Sequence, residues 1–207
     1  MSNIIEEINE IQVHSIPEFM QQILDFEYEG DCTVYFRGES QDHKGTAFQP
    51  SIYRNAKHLE LENEHRIYRE MQRFNNHEFT EDRSAFDKLS RMQHYLAPTR
   101  LIDFSEDALT ALYFALVTRK TCDDAIVYVT AVANDKIKYY DSDAVSVISN
   151  LAKLPLNSND KKSKEAVVKS AKKKLEKIKR FNKCKSAGFL LHEIKEEKSY
   201  FSHIIDP

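Results

Sequence analysis

Apolar residues recur every three to four positions in several stretches of the 207-residue chain, and this spacing predicts amphipathic helices. In one of them Leu89 and Met92 share a face, which places Gln93 and His94 at the end of a helix. On the helix before it, two alternatives stand for the acid Glu64: it faces inward, or, as we rather expect, it is solvated. The other helices predicted by this spacing are one beginning at Pro17, one over 59–75, one over 106–118, a short one over 145–151 and a basic one near 161–182.

Runs of β-branched and aromatic residues predict strands between these helices. The clearest runs cover 32–37 and 125–132, and a short alternating strand is expected over 100–104. Two last strands are expected over 188–193 and 200–205. Helices and strands mixed in this order predict an α+β fold with a mixed central sheet flanked by helices.

The composition is that of a globular protein, with 41% apolar and 11% aromatic residues and a net charge of −3. This charge gives no general reason to expect nucleic-acid binding, although the basic helix near 161–182 leaves that partner open. No apolar run approaches the roughly 20 residues of a membrane helix, and the N-terminus lacks the basic start of a signal peptide. We therefore expect a cytoplasmic protein without a membrane partner.

The scarcity of glycine excludes the common nucleotide-binding loops. The chain has four glycines, which are too few and too scattered for a Walker loop or a dinucleotide-binding fingerprint. No H-E-x-x-H motif and no paired C-x-x-C occur, and three separated cysteines fit reduced thiols. We therefore expect no metal site.

One short stretch is unusually dense in residues that carry chemistry. Pro98 ends the preceding helix, and Ser105 is expected to cap the next one. His94, Arg100 and Asp103 would then lie near the ends of neighbouring elements. A purely structural interpretation also stands, in which Arg100 and Asp103 form a buried pair and His94 is a hydrogen-bonded core residue. The whole stretch reads Gln93-His94-Tyr95-Leu96-Ala97-Pro98-Thr99-Arg100-Leu101-Ile102-Asp103-Phe104-Ser105.

A second polar group lies at the end of the first predicted strand, where Arg37 and Gly38 follow two aromatic residues. The glycine indicates that another backbone segment approaches closely. The following loop, 42–55, contains Tyr53 and is expected to act as a ligand-binding lid. In the structural alternative, Arg37 only pairs with Glu39 at the surface.

Three pieces of the sequence resemble the FRG domain family, which is named after a Phe-Arg-Gly tripeptide. The pieces are Tyr35-Phe36-Arg37-Gly38, Gln93-His94-Tyr95-x-x-Pro98-Thr99-Arg100-Leu101-Ile102-Asp103 and Ala111-Leu112-Tyr113-Phe114-Ala115. The resemblance covers roughly Thr33 to Leu191 and implies a single domain over 1–207. Two positions depart from the family pattern, with Leu96 in place of Gly and Phe104 in place of Trp. Since family members commonly run on into a helical tail, this chain is either naturally short or cut.

The layout is also similar to that of ADP-ribosyltransferases of the Arg-Ser-Glu type. This similarity implies that Arg37 anchors NAD and that Ser105 shapes the nicotinamide pocket. The carboxylate that stabilises the ribosyl cation would be Glu193, at the end of a predicted strand, or Asp103 from the motif. Arg37, His94, Arg100 and Asp103 are expected to converge at one cleft. The resemblance completes the catalytic group with His94 and Arg100, and gives ligand-binding roles to Gly38, Tyr53, Gln93, Thr99 and Ser105.

Three functions are consistent with these residues. The first is an enzyme that cleaves NAD or transfers ADP-ribose, acting as a toxin or defence effector in a bacterial or phage-related setting. The second is a non-catalytic module that binds a nucleotide, a protein target or a regulatory partner. The third is a hydrolase with His94 as base and Ser105 as nucleophile, although Ser105 lacks the glycine-flanked elbow of such nucleophiles.

Overall fold

The computed structural model describes residues 10–43, 46–54, 59–117, 119, 124–155 and 185–201. The elements in chain order are α1 (Ile16–Leu24), β1 (Cys32–Glu39), α2 (Leu59–Glu62), α3 (Glu64–Phe74), α4 (Ala85–His94), α5 (Ala108–Val117), β2 (Ile126–Ala133), α6 (Asp143–Asn150) and α7 (Lys185–Glu197). This mixture of helices and strands in the described residues is consistent with the predicted α+β class. None of the described helices is long and apolar enough to cross a bilayer.

The chain divides into two compact units. The first is made of Met1–Asp42 and Phe104–Lys136, and the second of His43–Asp103 and Ile137–Pro207. The expectation that 1–207 is one domain stays a prediction.

The first unit is built on the antiparallel pair of β1 and β2, and both strands confirm the sequence prediction. Successive side chains of a strand point to opposite faces, so the pairing register decides which residues share a face. Phe36 lies opposite Val129. On that face Phe36 is buried together with Phe19 of α1 and Ala108 and Ala111 of α5. Helices α1 and α5 therefore cover the apolar face of the sheet.

Small residues allow α5 to approach β1 closely. A Cβ atom on Gly38 would lie 1.9 Å from the carbonyl oxygen of Ala111 and 2.7 Å from the amide nitrogen of Ala115. No side chain fits into such a space, so only glycine is compatible with this contact. The close backbone approach expected at Gly38 is therefore confirmed.

The second unit is helical, and its apolar positions recur at the spacing that the sequence showed. The helices predicted over 59–75, over 145–151 and up to His94 correspond to α2 with α3, to α6 and to α4. One cluster of buried residues consists of Tyr68, Phe79, Leu89, Met92 and Ala152. A second cluster consists of Leu154, Ala187, Leu190, Ile194 and Phe201.

Two predicted strands are wrong. The stretch 188–193 lies inside α7, where Leu190 and Ile194 are buried at helical spacing. The stretch 100–104 forms no strand, and the single bridge nearby is made by Ser105.

Other predictions fall partly or wholly outside the described residues. Neither Tyr200 nor Phe201 lies in a strand, and the rest of the strand expected over 200–205 is outside the described range. The basic helix near 161–182 also lies outside it.

Candidate functional site

Helix α4 ends in a tight turn within the motif. The N–H of Leu96 donates to the carbonyl of Gln93 at 2.9 Å, and the N–H of Ala97 donates to the carbonyl of Met92 at 3.0 Å. These two bonds form a Schellman motif, whose turn residue adopts left-handed backbone geometry. Leu96 accordingly has a φ of +60°, and it is 93% exposed. The departure from the family glycine thus falls where glycine is sterically favoured.

Thr99 anchors the motif through its backbone. The Ser51 hydroxyl accepts from the N–H of Thr99 at 3.0 Å and donates to its carbonyl at 3.3 Å. The N–H of Ile52 donates to the same carbonyl at 3.2 Å. This part of the loop expected to act as a lid is therefore a short 3-10 helix, Ser51–Tyr53, fixed against the motif. The ligand-binding role of Tyr53, which is half-buried, stays a prediction.

A chain of side-chain hydrogen bonds runs from the buried Thr99 to the surface. The Thr99 hydroxyl donates to Oε1 of Gln93 at 2.9 Å, and Nε2 of Gln93 donates to Oδ2 of Asp103 at 2.6 Å. Thr99 is 1% exposed, whereas Asp103 is exposed. A buried hydroxyl therefore fixes the orientation of a carboxylate that water and solutes can reach.

Arg100 is held in a different way, by a buried ion pair with Glu64 of α3. Nε of Arg100 lies 2.7 Å from Oε1 of Glu64, and Nη2 bonds the other carboxylate oxygen. The two side chains are 11% and 5% exposed. The prediction that Glu64 is solvated is therefore wrong, and Arg100 pairs with Glu64 rather than with Asp103. The planar guanidinium fits a carboxylate in this two-bond geometry.

His94 and Tyr95 lie exposed at the end of α4, so His94 is not a core residue. The Tyr95 hydroxyl donates to Oε2 of Glu78 at 2.6 Å. This bond raises the pKa of Tyr95 and lowers the pKa of Glu78. His77 lies beside the same carboxylate, with Nε2 at 3.0 Å from Oε1.

In the first unit, Arg37 and Glu39 lie on the sheet face opposite that of Phe36. Nε of Arg37 donates to Oε1 of Glu39 at 3.0 Å, and the side chains are 16% and 3% exposed. The predicted pair thus exists, but it is largely buried instead of lying at the surface. Tyr128 of β2 lies opposite Arg37, and burial together with the charges of Glu39 and Asp42 raises the pKa of Tyr128.

Ser105 is joined to β1 by its backbone. The N–H of Phe36 donates to the carbonyl of Ser105 at 2.7 Å, and the N–H of Ser105 donates to the carbonyl of Phe36 at 2.8 Å. Because residues paired in this way face the same side of a sheet, the side chains of Ser105 and Phe36 project to one face and that of Arg37 projects to the other. The Ser105 hydroxyl accepts from the N–H of Asp107 at 3.0 Å. Asp107, rather than Ser105, caps α5, and hydrogen bonds from Thr110 lower its pKa.

Glu193 lies on α7, and its predicted position at a strand end is wrong. Its Oε2 lies 3.3 Å from Nζ of Lys153, and Oε1 of Glu197 lies 3.2 Å from the same atom. Lys153 is 7% exposed, and the amide of Asn150 also donates to Glu197, at 3.2 Å. This cluster was not predicted from the sequence. Its local signal is the i,i+4 spacing of the two acids, which has meaning only on a helix.

The predicted site residues are divided between the units. The second unit brings Gln93, Thr99 and Asp103 into one network. The convergence of Arg37 with the second-unit residues at one cleft stays a prediction. Arg37, Gly38 and Ser105 belong to the first unit, and Tyr53, Gln93, His94, Thr99, Arg100, Asp103 and Glu193 to the second. Across the described residues, no group of three His, Cys, Asp or Glu side chains could hold a metal ion.

Residues 32–124 match the family model of the FRG domain. The matched segment contains all three sequence pieces that resemble this family, so this segment of the chain is similar to the FRG domain. No curated protein and no solved structure matches the chain. The resemblance expected beyond residue 124, as far as Leu191, stays a prediction.

Proposed function

We propose that the FRG domain binds a nucleotide through Asp103, with NAD as the ligand. The observation that carries this proposal is the chain of hydrogen bonds from Thr99 through Gln93 to Asp103. It holds an exposed carboxylate in one orientation from a buried residue.

Stability alone does not account for this arrangement. A hydrogen bond that water can replace contributes only about 0.5–1.5 kcal/mol, and ordering side chains opposes it. Groups that bind ligands, in contrast, need supporting hydrogen bonds that fix their geometry before the ligand arrives. The support given to Asp103 by Gln93 and Thr99 has this form.

The chemistry of a carboxylate suits the ribose of NAD in two ways. It accepts hydrogen bonds from adjacent ribose hydroxyls, and it stabilises the positive charge that develops on the ribosyl carbon when the nicotinamide bond breaks. We therefore propose NAD hydrolysis or ADP-ribose transfer as the activity, with Asp103 as its carboxylate. His94 lies next to Gln93 in sequence, and its imidazole supplies a further hydrogen-bonding group. The setting of a toxin or defence effector rests on the family resemblance alone.

The test combines calorimetry with NAD and ADP-ribose and an assay of nicotinamide release. Asp103→Asn removes the charge and keeps the shape, so we expect affinity to fall about tenfold or more, as for a charge-assisted hydrogen bond. Nicotinamide release should also fall. Asp135→Asn is the matched control, because Asp135 is an exposed acid in a surface pair with Lys136. Unchanged NAD binding in Asp103→Asn would overturn the assignment.

The contacts of the other candidates favour a second function, a non-catalytic binding module. The charges of Arg37, Arg100 and Glu193 are paired with Glu39, Glu64 and Lys153. Groups engaged in this way stabilise the fold, which leaves fewer charges for transition-state stabilisation. This function predicts binding of NAD or ADP-ribose without nicotinamide release. NAD binding by Arg37→Lys, measured by the same calorimetry, tests the NAD-anchoring role of Arg37 separately from that of Asp103.

A further inference from the structure

The side-chain amide of Gln93 is held at both of its ends. Its Oε1 accepts from the Thr99 hydroxyl at 2.9 Å, and its Nε2 donates to Oδ2 of Asp103 at 2.6 Å. A carboxylate only accepts hydrogen bonds, so the amide nitrogen has to face Asp103 and the amide oxygen has to face Thr99. Since Thr99 is 1% exposed, its hydroxyl cannot turn to water instead. The amide of Gln93 therefore has one orientation.

This orientation leaves one hydrogen-bond donor of Gln93 unused. An amide nitrogen carries two hydrogens, and Asp103 accepts one of them. Across the described residues, the second N–H has no acceptor, although the Gln93 side chain is half-buried. A carboxylate accepts several hydrogen bonds, so Asp103 keeps acceptor capacity beside this donor. A donor and an acceptor thus lie side by side, on atoms 2.6 Å apart.

A hydroxyl group is the chemistry that fits such a pair. It both donates and accepts, so one oxygen can give its hydrogen to Asp103 and receive one from Gln93. A phosphate only accepts and carries the same charge as Asp103, so it would be repelled. An apolar group would leave both the donor and the acceptor unpaired.

We propose that Gln93 contacts the ligand and recognises the 2-hydroxyl of the ribose that Asp103 binds. The second N–H of Gln93 donates to this hydroxyl, and the hydroxyl donates to Asp103. The inference rests on the proposed function, which places a ribose at Asp103. The 2-hydroxyl is the one next to the ribosyl carbon whose charge Asp103 stabilises in that function. The protein should therefore distinguish ribose from 2-deoxyribose, because the deoxy sugar leaves a fixed N–H without its acceptor.

Calorimetry with two ligands tests this inference on the full chain: ADP-ribose, and an analogue whose terminal ribose lacks the 2-hydroxyl. The parent should bind the analogue about tenfold or more weakly. Gln93→Met keeps the length of the side chain and removes its N–H groups, so the ratio of the two affinities should fall to about threefold or less. Gln21→Met is the matched control, because the Gln21 amide also donates to an aspartate, Asp25, but lies in the first unit. Its ratio should equal that of the parent.

The same comparison in Asp103→Ala separates direct contact from an effect through Asp103. In that protein Gln93 has no carboxylate to orient, so adding Gln93→Met should lower the ratio only if Gln93 touches the hydroxyl. If Gln93→Met loses its helical circular dichroism, Gln93→Glu takes its place. Glutamate keeps the length and the acceptor for Thr99, but it has no N–H.

The outcomes distinguish this inference from the proposed function. Equal ratios in the parent and in Gln93→Met overturn the inference and leave Asp103 as the binding residue. Equal ratios in Asp103→Ala with and without Gln93→Met overturn it too, since Gln93 would then act only by orienting Asp103. A parent protein that binds neither ligand overturns the proposed function and the inference together.

Discussion

The stretch from Gln93 to Ser105 contains two charged residues, Arg100 and Asp103, whose environments differ. Arg100 is largely buried and forms two hydrogen bonds with Glu64. Asp103 is exposed, and Gln93 orients it. A charge in a buried pair has exchanged its water for its partner, so removing either partner leaves the other uncompensated. An exposed carboxylate keeps its water. We therefore expect Arg100 to determine stability and Asp103 to determine binding.

The largest effect should come from breaking the buried pair. Arg100→Ala should lower the free energy of unfolding by about 3–5 kcal/mol, because Glu64 is left buried without its cation. Asp103→Ala should lower it by less than about 1 kcal/mol, since the hydrogen bond from Gln93 to Asp103 is exposed to water. Denaturant unfolding followed by circular dichroism measures both. Equal losses in the two variants would remove the distinction between the two residues.

A double replacement distinguishes the effect of the two charges from the effect of the lost side-chain volume. Arg100→Met combined with Glu64→Leu keeps most of the volume and removes both charges. This double variant should be more stable than Arg100→Ala, because apolar residues of similar size often replace a buried ion pair without loss.

The next largest effect should come from Thr99, which connects the buried and the exposed parts of the motif. Thr99→Val removes the hydroxyl that donates to Gln93 and accepts from the N–H of Leu101 at 3.3 Å. The expected loss of stability is about 1–3 kcal/mol. NAD affinity measured by calorimetry should also fall, because Gln93 no longer holds Asp103. In the control, Thr80→Val, the hydroxyl bonds only an exposed carbonyl, and neither quantity should change.

The sequence predicted the elements whose pattern is local. The 3.6-residue spacing of Leu89 and Met92 was sufficient for α4, and the β-branched run was sufficient for β2. Gly38 indicated a close approach because few other functions require glycine at a strand end. The strand predicted over 188–193 was wrong, because a short apolar run fits a buried strand and a helix equally well. The helix is formed here because it buries Leu190 and Ile194 together in one apolar cluster.

Partners distant in sequence could not be predicted. Glu64 lies 36 residues before Arg100, and no local pattern connects them. The same holds for Lys153 and Glu197, which are 44 residues apart. The motif marked Arg100 and Asp103 as equally important, but it could not separate them by burial. Burial depends on which helix packs against each residue, and here α3 supplies the carboxylate for one of them.

A smaller effect should come from Leu96, at the turn between the two parts of the motif. Left-handed backbone costs a residue with a side chain about 1–2 kcal/mol, and glycine avoids this at an entropic cost of about 0.5–1 kcal/mol. Leu96→Gly should therefore stabilise the protein by about 0.5–1 kcal/mol in thermal or denaturant unfolding. Leu96→Ala is the control, because alanine keeps the Cβ atom and the strain. A gain of equal size in Leu96→Ala would contradict the backbone explanation.

The smallest effect on stability should come from the exposed pair of Tyr95 and Glu78, but its titration is measurable. Their hydrogen bond raises the pKa of Tyr95 and lowers the pKa of Glu78. A raised pKa favours the folded state below the ordinary pKa of tyrosine, and this contribution disappears as pH rises through the folded value. A lowered pKa favours the folded state above the ordinary pKa of glutamate, and this contribution disappears as pH falls through the folded value. Both contributions are therefore present at neutral pH.

Nuclear magnetic resonance of the tyrosine ring carbons can follow the ionisation of Tyr95 directly, and Tyr95→Phe assigns its signal. Glu78→Gln should move the pKa of Tyr95 back toward the ordinary value, because the charged acceptor is lost. Glu81→Gln is the matched control, since Glu81 is an exposed acid nearby in sequence and should leave the titration of Tyr95 unchanged. If Glu78→Gln has no effect, the Tyr95 hydroxyl is hydrated in solution. The exposed part of the motif would then be ordered through Gln93 and Asp103 alone.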